Sequence, residues 1–231
     1  MKKVLFIAGD STAQSYAEDA KPQTGWGEWL LAALRPNEEI KAAHRENCPF
    51  AQELRYESES LVVDNCAMAG RSSKTFREEG RLEDIQRQLK EGDVLLIQFG
   101  HNDASSTKPE RYVSLEDFPQ SLQYYIEVAK AAKAKAVLLS SIALCPCPEN
   151  TTGEVGEIGR LLPLYAEEMK KLAENEGVLY IDLGARTRKK CQETAHAEVL
   201  TWYKEDHVHL VESGARCYAE LLAEALREKP E

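Results

Sequence analysis

The sequence predicts an α/β fold in which helices pack on both faces of a five-stranded parallel sheet. Short apolar runs typical of buried strands alternate along the chain with longer segments whose apolar residues recur at helical spacing. The chain has 231 residues, of which 43% are hydrophobic, and this length suits one α/β domain over residues 1–231. Strands separated by helices pair in parallel through right-handed crossovers.

Five short runs are predicted to be the strands of this sheet. The run at 94–99 is apolar at nearly every position, as is typical of a parallel strand buried on both faces. The first run contains only five apolar residues before Gly9, which indicates a strand rather than the apolar part of a signal peptide. The predicted strands are 4–8, 61–66, 94–99, 136–142 and 178–181.

Five longer segments are predicted to be helices. In the first of them, Trp26, Trp29 and Leu30 recur at helical spacing, which favours burial of their shared face. Gly92 and Gly177 are predicted to end the second and fourth helices. The predicted helices are 26–34, 81–90, 115–133, 160–176 and 214–227.

The segment 144–159 is predicted to be a loop, because it contains two prolines and three glycines. It follows the fourth predicted strand. In open parallel α/β sheets, ligands bind beyond the carboxyl ends of the strands. We therefore expect this loop to border the functional site.

The composition argues against two classes of partner. The formal net charge is −10, and an acidic chain repels both nucleic-acid phosphates and anionic membrane surfaces. No apolar run approaches the roughly 20 residues of a membrane span.

The six cysteines contain no CxxC pair, which favours reduced thiols over disulfides or a metal site. We expect a cytoplasmic protein without metal or cofactor.

Residues suited to acyl transfer follow the predicted strands. Ser11 lies just after the first strand, while Asp206 and His209 lie just before the last helix. A serine hydroxyl is a weak nucleophile at neutral pH and needs a neighbouring base. His209 can take its proton, and Asp206 can fix the histidine tautomer and stabilise its cation. This set predicts a serine esterase.

A tetrahedral intermediate also needs hydrogen-bond donors that are already in place. The backbone N–H groups of Ser11 and Gly70 and the side-chain amide of Asn102 are the candidates, since each follows a predicted strand. Glycine at position 70 permits close approach of the backbone to a ligand. We expect these three groups to form the oxyanion hole.

Four sequence blocks, in this order, resemble those of the SGNH/GDSL hydrolases, and their spacing also agrees. The blocks are Gly9-Asp10-Ser11, Gly70, Gly100-His101-Asn102-Asp103 and Asp206-x-x-His209.

The rhamnogalacturonan acetylesterase branch is the more similar part of that family. It shares Gly-Trp-Gly at 25–27, the N-x-A-x-x-G-R-S pattern at 65–72, QFGHND at 98–103 and the terminal block at 206–209. The resemblance implies a flavodoxin-like three-layer αβα fold, no metal, and removal of O-acetyl groups from pectic sugars. The segment 144–159 differs from the aromatic and basic segment usual in that branch.

Four further residues are candidates for contact with the substrate: Asp10, Arg71, His101 and Trp202. For Asp10 the sequence favours a turn and packing role over contact with the substrate, and for His101 it favours support of its loop. Arg71 would bind the carboxylate of an acidic sugar, or remain a solvated surface arginine. Trp202 would stack on a sugar ring.

Two other functions remain open on sequence grounds. A glycosidase would use two carboxylates, and Asp10, Asp103 and Asp206 all lie near the predicted site. A non-catalytic protein would bind a phosphate at residues 9–12, although the chain lacks a P-loop lysine and a GxGxxG turn. Small acyl esters and other acetylated glycans are alternative esterase substrates.

Overall fold

One sheet organises the computed structural model, which describes residues 2–228 except for the side chain of Glu149. Its five parallel strands lie in the order β4-β1-β5-β6-β7. This arrangement confirms the predicted parallel sheet. The strands are β1 (Lys3–Gly9), β4 (Leu61–Asn65), β5 (Val94–Gln98), β6 (Lys135–Leu139) and β7 (Leu179–Ile181).

An antiparallel hairpin, which the sequence did not predict, extends the sheet to seven strands. Its strands are β2 (Lys41–His44) and β3 (Leu54–Glu57), and β3 pairs antiparallel with β4. All four residues of β2 are exposed. A short edge strand of this kind lacks the apolar run or strict alternation by which strands are recognised, so the predicted number of five was too low.

Eight α-helices surround the sheet in the described part of the chain. Three of them were not predicted, namely α2, α6 and α7, which are short or poor in apolar residues. The helices are α1 (Trp26–Leu34), α2 (Ser73–Glu78), α3 (Arg81–Gln88), α4 (Phe118–Ala131), α5 (Gly153–Glu176), α6 (Leu183–Glu193), α7 (His196–Leu200) and α8 (Glu212–Glu228).

Alternate residues of the central strands enter two separate cores. In β1, Leu5 and Ile7 pack in the core that contains Leu30 of α1 and Tyr218 of α8. Phe6, between them, packs in the opposite core with residues of α3, α4 and α5. The period of two along a strand sends neighbours to opposite faces, which gives the predicted helix–sheet–helix layering.

Helix α5 begins at Gly153, seven residues before its predicted start, so the loop prediction for 144–159 was wrong beyond residue 152. The three glycines on which the loop prediction rested lie inside the helix instead. A Cβ on Gly156 would lie 2.5 Å from the carbonyl carbon of Thr151. Glycine is therefore required here for close packing of the first turn, not for ending the helix.

Within residues 2–228, no helix is both long enough and apolar enough to cross a bilayer.

Candidate active site

A cleft of about 580 Å³ opens at the carboxyl edge of the parallel strands. Ser11 follows β1 and Asn102 follows β5, and both line this cleft. The chain passes from β4, on one side of β1, to β5 on the other side. Ligand sites of open α/β sheets lie at such a switch of strand order, so the fold and the cleft indicate the same place.

The loop that presents Ser11 is fixed by its two neighbours. Asp10 Oδ1 accepts hydrogen bonds from the Thr12 N–H at 2.9 Å and the Thr12 hydroxyl at 2.8 Å. The Thr12 carbonyl accepts from the Trp26 N–H at 2.9 Å, at the start of α1. Asp10 is fully buried. It therefore holds the loop and is not available for contact with a substrate, contrary to one of the predictions.

Ser11, His209 and Asp206 form a hydrogen-bonded series. His209 Nε2 lies 3.0 Å from Ser11 Oγ, and His209 Nδ1 lies 2.8 Å from Asp206 Oδ2. The other oxygen, Asp206 Oδ1, accepts from the backbone N–H groups of Val208 at 2.9 Å and His209 at 2.8 Å. This geometry suits proton removal from the serine by the histidine.

The environment of Asp206 favours its ionised form. Partial burial would raise the pKa of this carboxyl, but the N–H groups of His209 and Val208 and the His209 ring outweigh it and lower the pKa below its usual value. Asp206 is therefore negatively charged near neutral pH, as a group that stabilises an imidazolium must be.

Three donors meet at the cleft near Ser11. Among residues 2–228, the backbone N–H groups of Ser11 and Gly70 form no hydrogen bond. Gly70 has φ +76°, a left-handed conformation that glycine adopts without a steric penalty. Asn102 Nδ2 donates to the Arg71 carbonyl at 2.9 Å, which fixes the amide and leaves its second hydrogen for a ligand.

His101 lines the cleft, but both of its ring nitrogens already face oxygen atoms of the protein. Nδ1 lies 3.3 Å from Asp10 Oδ2, and Nε2 lies 3.2 Å from the Ile142 carbonyl. Burial opposes ionisation of Asp10, yet hydrogen bonds from His101 and Thr12 lower its pKa. The His101 ring thus supports the loop beneath Ser11.

Two predicted substrate contacts do not line the cleft. The Arg71 side chain binds Glu79, with Nε 2.9 Å from Oε1. The Trp202 indole is buried and packs edge-on against Tyr218, with ring centroids 6.1 Å apart. Trp202 cannot stack on a sugar from this position, and only the backbone carbonyl of Arg71 acts near the site.

Several residues that line the cleft were not singled out from the sequence. Lys108 and Arg111 come from the segment between β5 and α4, where a Lys-Pro-Glu-Arg turn was the only sequence signal. The segment 144–159 borders the cleft, as predicted. The remaining lining residues are Gln23, Ala69, Leu144, Glu154, Val155, Ile158 and Val208.

A second cavity, of about 520 Å³, lies at the opposite edge of the sheet, near the starts of β1 and β5. It is lined by Lys3, Arg55 and Asp93 among other residues, and it contains neither serine nor histidine. It therefore lacks the serine–histidine pair that the first cleft contains.

One side-chain group within residues 2–228 has the spacing of a metal site. Ligand atoms of Cys48, Glu53 and Asp84 lie within 4.8 Å of one another. The buried Arg45 guanidinium already pairs with Glu53, and its Nη2 lies 3.1 Å from Asp84. Arg81 also pairs with Glu53 and Arg87 with Asp84, so each carboxylate already has two arginine partners. None of the three residues of the group lines the cleft.

A serine, a histidine and a carboxylate in hydrogen-bonded series beside unpaired N–H donors are the arrangement of a serine hydrolase. The comparison with known families is consistent with this class. Residues 7–217 match the GDSL-like Lipase/Acylhydrolase family, and the chain belongs to that family. It is a carboxylic ester hydrolase.

Curated relatives are similar over almost their whole length. The probable rhamnogalacturonan acetylesterase YesY of Bacillus subtilis (strain 168) is 33% identical, over 99% of this chain and 94% of that protein. The rhamnogalacturonan acetylesterase RhgT of the same organism is 32% identical, over 99% of this chain and 92% of that protein.

Solved structures share the fold at lower identity. The YxiM protein of Bacillus subtilis has a TM-score of 0.75 at 23% identity; the match covers 99% of this chain but only 57% of that one. The acetylxylan esterase Axe2 of Geobacillus stearothermophilus has a TM-score of 0.66 at 17% identity, over 98% of this chain and 93% of that one.

Proposed function

We propose that this protein hydrolyses O-acetyl esters of carbohydrates through an acyl-enzyme on Ser11, with pectic oligosaccharides of the rhamnogalacturonan type as substrates. The observation that carries the chemistry is the 3.0 Å approach of His209 Nε2 to Ser11 Oγ. Similarity to the two rhamnogalacturonan acetylesterases supports the substrate. Other acetylated glycans and small acyl esters are the alternative substrates.

In the first half of the reaction, His209 takes the proton of Ser11 as the hydroxyl oxygen attacks the acetyl carbonyl carbon. The carbonyl oxygen becomes an oxyanion, which accepts hydrogen bonds from the N–H groups of Ser11 and Gly70 and from Asn102 Nδ2. His209 then returns the proton to the leaving sugar oxygen as the C–O bond breaks. Acetate remains as an ester on Ser11.

The second half repeats these steps with water as the nucleophile. His209 takes one proton from water as the water oxygen attacks the acetyl-serine carbonyl, and that proton then passes to Ser11 Oγ as the acyl C–O bond breaks. Acetic acid leaves and ionises to acetate in solution. Asp206 stabilises the imidazolium in both halves and does not itself take the proton.

The cleft has a surface suited to a sugar chain. Leu144, Val155, Ile158 and Val208 supply apolar contacts, while Lys108 and Glu154 supply polar ones. Pyranose rings combine apolar C–H faces with hydroxyl groups, and binding sites of mixed character with few polar anchors accommodate such ligands.

Substitution of the serine tests the chemistry. We expect Ser11→Ala to lower kcat for p-nitrophenyl acetate by roughly 10⁴-fold or more, because loss of the nucleophile disables the whole series. The variant keeps its fold, since the hydroxyl contributes one hydrogen bond at the surface of a cleft. A serine-directed fluorophosphonate should label the wild type at Ser11 and not the variant.

The same experiment separates the rival functions. A glycosidase that used two carboxylates would retain its activity in Ser11→Ala, and a phosphate-binding protein would not react with the fluorophosphonate. Retained activity in Ser11→Ala, or a wild type that does not react with the fluorophosphonate, would contradict the esterase mechanism proposed for this site.

Acetate release tests the substrate. We expect faster release from acetylated rhamnogalacturonan oligosaccharides than from acetylated xylan at equal acetyl concentration. Equal rates, or release from xylan alone, would reject the pectic substrate and leave the esterase mechanism intact.

We also propose that the reaction takes place in the cytoplasm. The six cysteines support this location, because thiols persist in reducing compartments. Cell fractionation with an antibody against the protein measures it directly.

A further inference from the structure

Arg111 is a cation in the catalytic cleft that the proposed mechanism does not use. It lines the cleft together with Ser11, Gly70 and Asn102. Its Nη1 atom lies 3.6 Å from the position that a Cβ on Gly70 would occupy. The guanidinium is therefore next to a proposed oxyanion donor, and a group attached near the scissile ester comes within its reach.

Among the side chains that the structure describes, which exclude Glu149, the Arg111 guanidinium has no anionic partner. Its Nε atom is buried and has no hydrogen-bond acceptor there. Nearby cations differ in this respect, since Lys108 Nζ lies 3.6 Å from Glu154 and Arg71 binds Glu79. A buried donor of a charged group without an acceptor costs free energy, and an acceptor on a ligand would remove that cost.

The segment that carries Arg111 is held in place without a ligand. The Arg111 N–H donates to the Lys108 carbonyl at 3.1 Å, and the Val113 N–H donates to the Asp103 carbonyl at 3.0 Å. The Thr107 hydroxyl donates to Glu154 at the start of α5, at 2.7 Å. Little backbone conformational entropy is then lost when the guanidinium binds a partner.

We propose that Arg111 is a specificity-determining residue that binds a carboxylate of the substrate, so that the enzyme favours acetylated oligosaccharides containing a uronic acid. The planar guanidinium binds a carboxylate through two parallel N–H···O bonds. The net charge of −10 repels acidic ligands in general, so an acidic substrate requires a local cation. This inference rests on the proposed deacetylation and names the substrate group that the site recognises.

The test compares two substrates that differ only in charge: an acetylated galacturonide oligosaccharide and the same compound with its carboxylates converted to primary amides. We expect wild-type kcat/KM to favour the carboxylate by about 10-fold or more, as for one charge-assisted hydrogen bond. Arg111→Gln should abolish this ratio, mainly through KM, and Arg111→Lys should restore part of it. Arg71→Gln is the matched control and should preserve the ratio.

A wild-type ratio near one would overturn the proposal. So would an equal loss on both substrates in Arg111→Gln, which would instead indicate that the arginine stabilises the oxyanion.

If p-nitrophenyl acetate is hydrolysed but neither sugar is deacetylated, the proposed substrate class is rejected, while the role of Arg111 is still open to test. A second measurement then tests that role. Unacetylated galacturonide and its amide are then compared as competitive inhibitors of p-nitrophenyl acetate hydrolysis. We expect stronger inhibition by the carboxylate in the wild type and equal inhibition in Arg111→Gln. Equal inhibition of the wild type by both compounds would overturn the role of Arg111.

Discussion

The Asp206 carboxylate makes hydrogen bonds through both of its oxygens, and each oxygen has a separate effect. Oδ1 accepts from the N–H groups of Val208 and His209, which shapes the turn that carries the histidine. Oδ2 accepts from the His209 ring, which orients the imidazole toward Ser11. A single side chain thus fixes both the backbone and the ring of the proposed base.

This double use predicts a pH-dependent contribution to stability. Because the folded-state pKa of Asp206 is lowered, its ionised form stabilises the fold above the unfolded-state pKa of about 4. That stabilisation disappears as the pH falls through the lowered pKa. The difference in unfolding free energy between the wild type and Asp206→Asn should therefore be larger at pH 6 than under strongly acidic conditions.

Urea denaturation at a series of pH values measures this difference, and a constant difference would contradict the assignment. Asp206→Asn should also lower kcat at pH 7 by about 10⁴-fold, because the amide favours the wrong histidine tautomer.

For single residues, the sequence was a better guide to the groups required by the proposed chemistry than to the side chains that line the cleft. Ser11, Asp206 and His209 belong to short blocks whose residue types follow from the reaction. Trp202 and Arg71 were predicted as contacts by residue type alone, but packing against Tyr218 and pairing with Glu79 determine where those side chains lie. Arg111 could not be singled out, because a segment without regular structure brings it to the cleft.

Helix α1 packs unusually close to the loop that carries Ser11, and two glycines make this possible. A Cβ on Gly25 would lie 2.5 Å from the backbone of Ala13, and a Cβ on Gly27 would lie 2.4 Å from the Ala13 carbonyl oxygen. That oxygen also accepts a hydrogen bond from Asn65 Nδ2 at 2.8 Å. The Gly-Trp-Gly block therefore brings the helix against the backbone just after the proposed nucleophile.

We expect Gly27→Ala to destabilise the protein by about 1–3 kcal/mol, as overpacking of a tight contact does, and to lower kcat by displacing the Ser11 loop. Denaturant unfolding and p-nitrophenyl acetate hydrolysis measure the two effects.

Gly159→Ala, within α5, is the matched control. Its nearest neighbour would be the flexible end of Leu144 at 3.3 Å, so stability should be unchanged or rise by up to about 1 kcal/mol. Similar losses of stability and kcat in Gly27→Ala and Gly159→Ala would show that the close contact between α1 and the Ser11 loop does not cause the effect.

Elements with strong apolar periodicity were predicted well, and those held by specific contacts were not. Strand β5 and helix α1 lie close to their predicted bounds, since burial on a known face determines both. The hairpin of β2 and β3 and the first turns of α5 depend on an edge pairing and on backbone contacts at Gly156. Neither feature leaves a periodic pattern in the sequence.

Across the whole molecule, charged side chains join the hairpin to the rest of the fold. Arg45, which follows β2, is buried and pairs with Glu53, with Asp64 of β4 at 3.5 Å and with Asp84 of α3 at 3.1 Å. These contacts connect three elements that are distant in sequence.

We expect Arg45→Ala to destabilise the protein by about 3–5 kcal/mol, because it removes the one buried guanidinium that contacts all three carboxylates and breaks buried ion pairs. Each carboxylate keeps one more peripheral arginine, namely Arg55, Arg81 or Arg87. Arg87→Ala is the control, since Arg87 also pairs with Asp84 but is 64% exposed at its side chain, and its loss should cost less than about 1 kcal/mol. Urea denaturation compares them, and a small effect of Arg45→Ala would show that the hairpin is attached by other contacts.

The two atoms on which the proposed reaction depends belong to residues 198 positions apart, Ser11 and His209. During synthesis the ribosome adds the histidine 198 residues after the serine. A chain interrupted before residue 209 would carry a serine with no base beside it, whatever part of the sheet had already formed. Release of acetate would therefore report that translation had proceeded past this histidine, and a stalled nascent chain would be unable to hydrolyse esters prematurely.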